Sequence, residues 1–217
     1  MSFTSKLAVA AVALAAGSAF ASPVSVSFTS FGQLNGATFG GSGISNQNVA
    51  ITQAAGNLTL GLSVTPRFSS PAVTNNGAGV FTVQAGAYGA GDNLALWNYD
   101  YYAKGGSFGT AYRLLVDFDE AKGNDISSYT DMSWLLLGGT QNSQNLGFLT
   151  SYSQFDPTEK GEYGVVLEAY NLFTGREIAR SSILVEVGSS VPEPASLALV
   201  ATALAGLGFA ARRRGAR

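Results

Sequence analysis

Three aromatic side chains at alternate positions, Trp97, Tyr99 and Tyr101, could do chemistry of a non-covalent kind. Alternate residues of a strand share one face, so these rings could form a flat platform on which sugar rings stack. The same spacing suits a row of core residues, and a tryptophan is more often interior than displayed. The intervening positions Leu94, Leu96, Asn98, Asp100 and Tyr102 would then lie on the opposite face. A second group, Asp117, Asp119 and Asp125 with Glu120 and Asn124, is dense in the hard oxygen ligands that Ca²⁺ prefers, but lacks the spacing of an EF-hand loop. A solvated turn after a strand is the simpler account of it. Asp117, Asp119, Glu162 and Glu168 are also the candidates for an acid/base pair, which glycoside hydrolysis requires at a defined separation. An acidic soluble surface carries such residues without catalysis, and no catalytic residue is assigned.

Cysteine and histidine are both absent. That removes thiol nucleophiles, the Ser-His-Asp triad and ordinary zinc sites, and it leaves an exported domain to be held by its core without disulfides. The expectation is a protein that is not an enzyme and uses no cofactor. Residues 22–190 carry seven Lys or Arg against thirteen acids, a net charge of −6. Nucleic acid and anionic lipid both demand a basic face, so neither is an expected partner. Charged residues are only 12% of the chain, about half the usual share, so the polar surface is built from Ser, Thr, Asn, Gln and Gly.

The elements that position these residues read as β-strands. Short apolar or alternating segments recur between Gly, Asn, Ser and Pro clusters, with little helical periodicity. Strands are expected near 24–31, 49–52, 58–65, 79–85, 94–102, 112–118, 133–137, 146–152, 161–170 and 177–187. About 8–10 strands at such spacing indicate an all-β fold, a single antiparallel β-sandwich, with a β-barrel as the alternative. Leu114, Val116 and Phe118 should face the core, as should Tyr163, Val165, Leu167 and Ala169 and the returning Ile183, Val185 and Val187. Ile178 has the opposite parity from Ile183, which predicts a bulge or bend around Ser181 and Ser182. This final hairpin, Gly-x-Tyr-x-Val-x-Leu-x-Ala, a turn at 171–175 and Ile-Leu-Val-Glu-Val, resembles the last hairpin of immunoglobulin-like sandwiches in bacterial surface proteins. The uncharged, glycine-rich stretch 34–48 reads as a mobile loop.

Both ends read as targeting sequence. Residues 1–21 combine Lys6, an apolar stretch from Leu7 to Ala16 and the small-residue signature Ala19-Phe20-Ala21 before Ser22, the pattern of a signal helix that signal peptidase cuts after Ala21. An uncleaved anchor is the alternative. Residues 195–211 contain 17 residues without a charge, roughly 25 Å as a helix, enough to cross a thin hydrocarbon core. Arg212, Arg213 and Arg214 behind it place the tail 212–217 in the cytoplasm by the positive-inside rule. A buried core helix is the competing reading.

Val191-Pro192-Glu193-Pro194-Ala195, an apolar segment and an arginine cluster, in that order, resemble the PEP-CTERM sorting signal of Gram-negative bacteria over residues 191–217. The resemblance implies processing by exosortase, a membrane-embedded protease, with Pro192, Glu193 and Pro194 as substrate. It also implies association with exopolysaccharide and biofilm, but assigns no activity to the middle domain 22–190. The expected partners are thus the Sec export machinery and signal peptidase, an exosortase, the inner membrane through the C-terminal helix, and exopolysaccharide. The expected destination is the cell surface or the medium. The expected role is structural or adhesive, with a carbohydrate-binding module built on the aromatic strand as the alternative and a glycoside hydrolase behind both.

Overall fold

Alternation of side chains decides where each long strand turns its face. In the computed structural model, which describes residues 24–68, 70–90, 93–149 and 155–188, the strands are β1 (Ser30–Gly32), β2 (Val49–Ala54), β3 (Leu58–Pro66), β4 (Thr74–Asn75), β5 (Val80–Val83), β6 (Trp97–Lys104), β7 (Thr110–Val116), β8 (Thr130–Asp131), β9 (Gln141–Gln144), β10 (Gly161–Asn171) and β11 (Glu177–Val187). They form two sheets, one ordered β1-β2-β3-β6-β9 and the other β4-β5-β11-β10-β7-β8. Neither sheet closes, so the barrel alternative is set aside. All pairings are antiparallel except β5 with β11, which run parallel, and this corrects the purely antiparallel expectation.

The core lies between the sheets. Leu60, Leu62 and Val64 of β3 and the β6 aromatics meet Leu114, Val116, Tyr163, Val165, Leu167, Ile183 and Val185 from the facing sheet. The inward residues expected of β10 and β11 are the ones found, as are Leu114 and Val116 of β7, while Phe118 lies past the end of that strand and is half-buried against the core. The bulge is not at Ser181 and Ser182: the register shifts between Ala169 and Tyr170, leaving Ile178 as the extra residue, 40% exposed. Ser181 and Ser182 continue the ladder because their hydroxyls have acceptors, the carbonyls of Ala50 and Ser25, at 3.0 and 2.8 Å.

Two expected strands are 3-10 turns instead. At Ser133–Gly138, both the amide and the hydroxyl of Ser133 donate to Asp131 Oδ1, and this local closure bends the chain away from extension. At Leu146–Leu149, Asn145 Oδ1 accepts from the Gly147 amide and starts the turn in the same way. Near the N-terminus, the strand expected over 24–31 shrinks to an isolated bridge between Ser27 and Ser182 and the short β1.

The stretch expected to be a mobile loop is tied down. Leu34, Ala37 and Phe39 form a second small core with Val49, Ile51 and Tyr102 on the outer face of the first sheet. Gln141 Oε1 accepts from the amides of Thr38 and Phe39 at 2.9 and 3.0 Å, and Asn46 Nδ2 donates to the carbonyls of Leu34 and Ala37. Gly61 of β3 makes this possible, because a Cβ there would lie 2.5 Å from Leu34 Cδ2.

The residues of the expected signal peptide, including Ala19, Ala21 and Ser22, lie outside the described residues, as do Pro192, Glu193, Pro194, the expected helix 195–211 and Arg212, Arg213 and Arg214. Among the described residues, no helix is long and apolar enough to cross a membrane.

Candidate functional site

Trp97, Tyr99 and Tyr101 are 2%, 0% and 0% exposed and face the opposite sheet, with the Trp97 ring 6.0 Å from that of Tyr163. They are core residues, and the stacking platform is not there. The opposite face of β6 is the one turned outward, carrying Asn98, Asp100 and Tyr102 against the folded-over loop.

That outer face builds a cleft of about 500 Å³. One wall is the loop 39–45, the floor is the end of β3 and the start of β6 with Thr65 and Asn98, and the far side is Asn142 and Ser143 of β9. Arg67 and Phe68, just past β3, form the rim. Asn98 Nδ2 donates to Ser143 Oγ at 3.1 Å, while Asn98 Oδ1 accepts from Asn145 Nδ2 at 2.8 Å. The amides of the floor are therefore held in one orientation. Gly40, at φ +76°, sits so close to the far side that a Cβ would come 3.0 Å from Asn142 Oδ1.

Two of the three non-glycine residues with positive φ among the described residues, Phe39 and Phe68, both at +48°, line this cleft. A phenylalanine held there is strained, and such strain collects at sites where the surrounding structure has a use for it. Phe39 is buried beneath the loop; Phe68 is 74% exposed beside the opening. The Arg67 guanidinium lies 5.0 Å from the Phe68 ring centroid, 5.2 Å from that of Tyr88 and 5.1 Å from that of Phe148. These are cation–π distances, and the Phe68 and Tyr88 rings also pack on each other at 5.5 Å.

Behind the floor lies Asp100, fully buried, whose Oδ1 accepts from Thr65 Oγ1 at 3.2 Å and whose Oδ2 has no hydrogen-bond partner. Burial pushes its carboxyl up to about 7, against the opposing effect of hydrogen bonds from Ser143 and Thr65.

The other carboxylates are held in different ways. Glu168 is buried on the outer face of β10 between Arg113 Nε at 2.9 Å and Arg180 Nη2 at 2.6 Å. Asp117 accepts from Asn124 Nδ2 at 3.0 Å and from the Asp119 amide at 3.1 Å. Asp119 accepts from the Ala121 amide and Asp125 from the Ser127 amide, so all three aspartates of the calcium candidate shape turns. Among the described residues, no group of three or more acids is placed to hold a metal ion. Asp117, Asp119, Glu120, Asp156 and Glu159 nevertheless line one open depression of about 550 Å³, away from the cleft. Burial raises the Asp117 carboxyl, whereas hydrogen bonds from Thr158 lower that of Asp156. Glu162 lies nearby, accepting from the Gly123 amide at 3.1 Å.

Residues 190–214 match the PEP-CTERM protein-sorting motif. The chain carries an exosortase sorting signal. This supports an exported protein that an exosortase processes, as the Pro192-Glu193-Pro194 signature implies. No curated protein and no solved structure matches the chain, and the immunoglobulin-like resemblance of the final hairpin gains no support from them.

Sequence reasoning missed the Arg67 cluster and the cleft. A weak signal was present, since Arg67 is one of only seven basic residues in 22–190 and stands between Pro66 and Phe68. Phe68 is adjacent, but the other two ring partners, Tyr88 and Phe148, lie about 20 and 80 positions further along the chain, a distance that no local pattern spans.

Proposed function

We propose that the domain is a non-catalytic surface or matrix protein that holds exopolysaccharide, with the cleft between the folded-over loop and β9 as the contact site. One observation carries this reading: the cleft is lined by amides, hydroxyls, an arginine and an exposed aromatic ring, and by no carboxylate. Sugar recognition needs apolar ring faces together with fixed polar groups for the hydroxyls, and Phe68, Asn98, Asn142 and Ser143 supply that combination. The sorting motif supports the destination, a cell surface where polysaccharide is available. Export through Sec with signal-peptide cleavage after Ala21, and transient anchoring by residues 195–211, belong to the same proposal.

The test is cosedimentation of the protein from its own host with that host's exopolysaccharide, alongside an Asn98→Ala, Asn142→Ala double variant. Retention of the parent protein and at least tenfold weaker retention of the variant, with no new reducing ends, is the expected result. Equal retention of both would move the contact away from the cleft.

A hydrolase is the second reading, favoured by the acid-lined depression with its oppositely shifted Asp117 and Asp156. It requires new reducing ends in the same assay and their disappearance in Asp117→Asn.

A further inference from the structure

Among the described residues, Arg113 and Arg180 each reach Glu168, and Arg180 also reaches Glu177. Arg67 differs. It is half-buried and has no carboxylate within salt-bridge distance among the described residues, and its Nε is buried without a hydrogen-bond partner. A guanidinium carries five donors in a rigid fork and keeps its charge at any physiological pH. The Arg67 guanidinium carbon lies over three aromatic rings at 5.0–5.2 Å, and ring faces accept no conventional hydrogen bond. The group is thus fixed in position, partly stripped of water and, among the described residues, lacking a counter-charge, at the rim of a cleft whose other polar lining is neutral.

Leaving buried donors unpaired is costly unless a ligand completes them. A planar carboxylate matches the fork with two parallel hydrogen bonds. We infer that the cleft takes a polysaccharide bearing uronic acid, with Arg67 pairing the sugar carboxylate, the Phe68 ring covering a sugar face, and Asn98, Asn142 and Ser143 meeting hydroxyls of neighbouring neutral sugars. This rests on the polysaccharide reading above and narrows it.

The net charge of −6 over 22–190 sets the kind of acid polymer. A dense polyanion would be repelled, because the cleft offers a single cation. A heteropolysaccharide with one uronate among several neutral sugars needs only one. Repulsion from charges elsewhere on the domain is screened over about 8 Å at physiological salt, whereas a partly buried pair at the rim is screened less.

The test measures binding of the full chain in detergent to a glucuronic-acid-containing heteropolysaccharide and to the same polymer with its carboxyl groups reduced to alcohols. Binding at least tenfold tighter to the acidic form is expected, with the preference lost in Arg67→Gln and partly kept in Arg67→Lys. Because Arg67→Gln also removes ring packing, a second measurement uses the parent protein alone: the polymer should protect Arg67 from phenylglyoxal modification, read by peptide mass. Equal binding to both polymers, or no protection of Arg67, overturns the uronate inference. In the first case the broader polysaccharide reading stands; binding to neither polymer overturns both.

Discussion

At the scale of single residues, the fold rests on a few polar side chains that have left water. Asn145 is fully buried: its Nδ2 donates to the carbonyls of Ala95 and Trp97 and to Asn98 Oδ1, and its Oδ1 accepts from the amides of Ala95 and Gly147. Asn145→Ala would leave buried backbone groups without partners, and a loss of about 3 kcal/mol is expected in urea denaturation. Asp100 makes stability depend on pH. Its folded carboxyl is pushed up to about 7 from an ordinary value of 3.8, so its contribution is complete below 3.8 and is lost progressively as the pH rises from there through 7. Relative to Asp100→Asn, the parent protein should lose roughly 2–4 kcal/mol between pH 4 and pH 8, read from denaturation midpoints. A difference between the two that stays constant with pH would show that this carboxyl does not titrate in that range. The aromatic triplet was legible in the sequence as a strand face, but its direction was not. What turns it inward is the loop 34–48 covering the other face of β6, and that contact joins residues far apart in the chain.

At the scale of elements, the long strands were legible because their alternation is strong, and β10 and β11 present inward the residues that parity assigned to them. The short polar β9, Gln-Asn-Ser-Gln, gave no such signal. It is a strand because its backbone pairs with β6, and Gln141 gains the loop amides as donors. Ser133–Gly138 and Leu146–Leu149 looked extended by composition, yet Asp131 and Asn145 close hydrogen bonds two residues ahead and turn the chain. Gly61→Val tests the coupling of the loop to its sheet. The added side chain would occupy the space of Leu34, already 2.5 Å from a single Cβ, so the loop should lift with faster amide exchange at Thr38 and Phe39. Polysaccharide retention should fall with it, since one wall of the cleft is that loop. On the facing sheet, Glu168 clamps β7 to β11 through Arg113 and Arg180. Glu168→Ala leaves two cations without their shared partner and should cost about 3 kcal/mol, while Arg113→Ala, half in water and with Arg180 remaining, should cost about 1.

At the scale of the whole molecule, the two ends of the sandwich differ. The cleft, the loop and the end of β11 from which the chain continues toward the sorting motif lie at one end, as the contact of Trp97 with Tyr163 shows. At the other end, Phe108 and Phe173, 93% and 68% exposed, stack at 5.7 Å where two hairpin tips meet. Replacing Pro192, Glu193 and Pro194 with alanine should leave the chain in the membrane fraction at full C-terminal length, measured by intact mass, if an exosortase reads that motif. The last strand, β11, lies inside its sheet between β5 and β10, and it also reaches the first sheet through Ser181 to Ala50 and Thr52 to Arg180. A chain whose last strand is this central cannot close its core until nearly the whole domain is available. Most of its contacts join distant residues, which slows folding further. Late closure leaves the domain open until nearly all of it is present, a state that suits an exported chain. A chain ending at Asn171 should accordingly stay as protease-sensitive as an unfolded one.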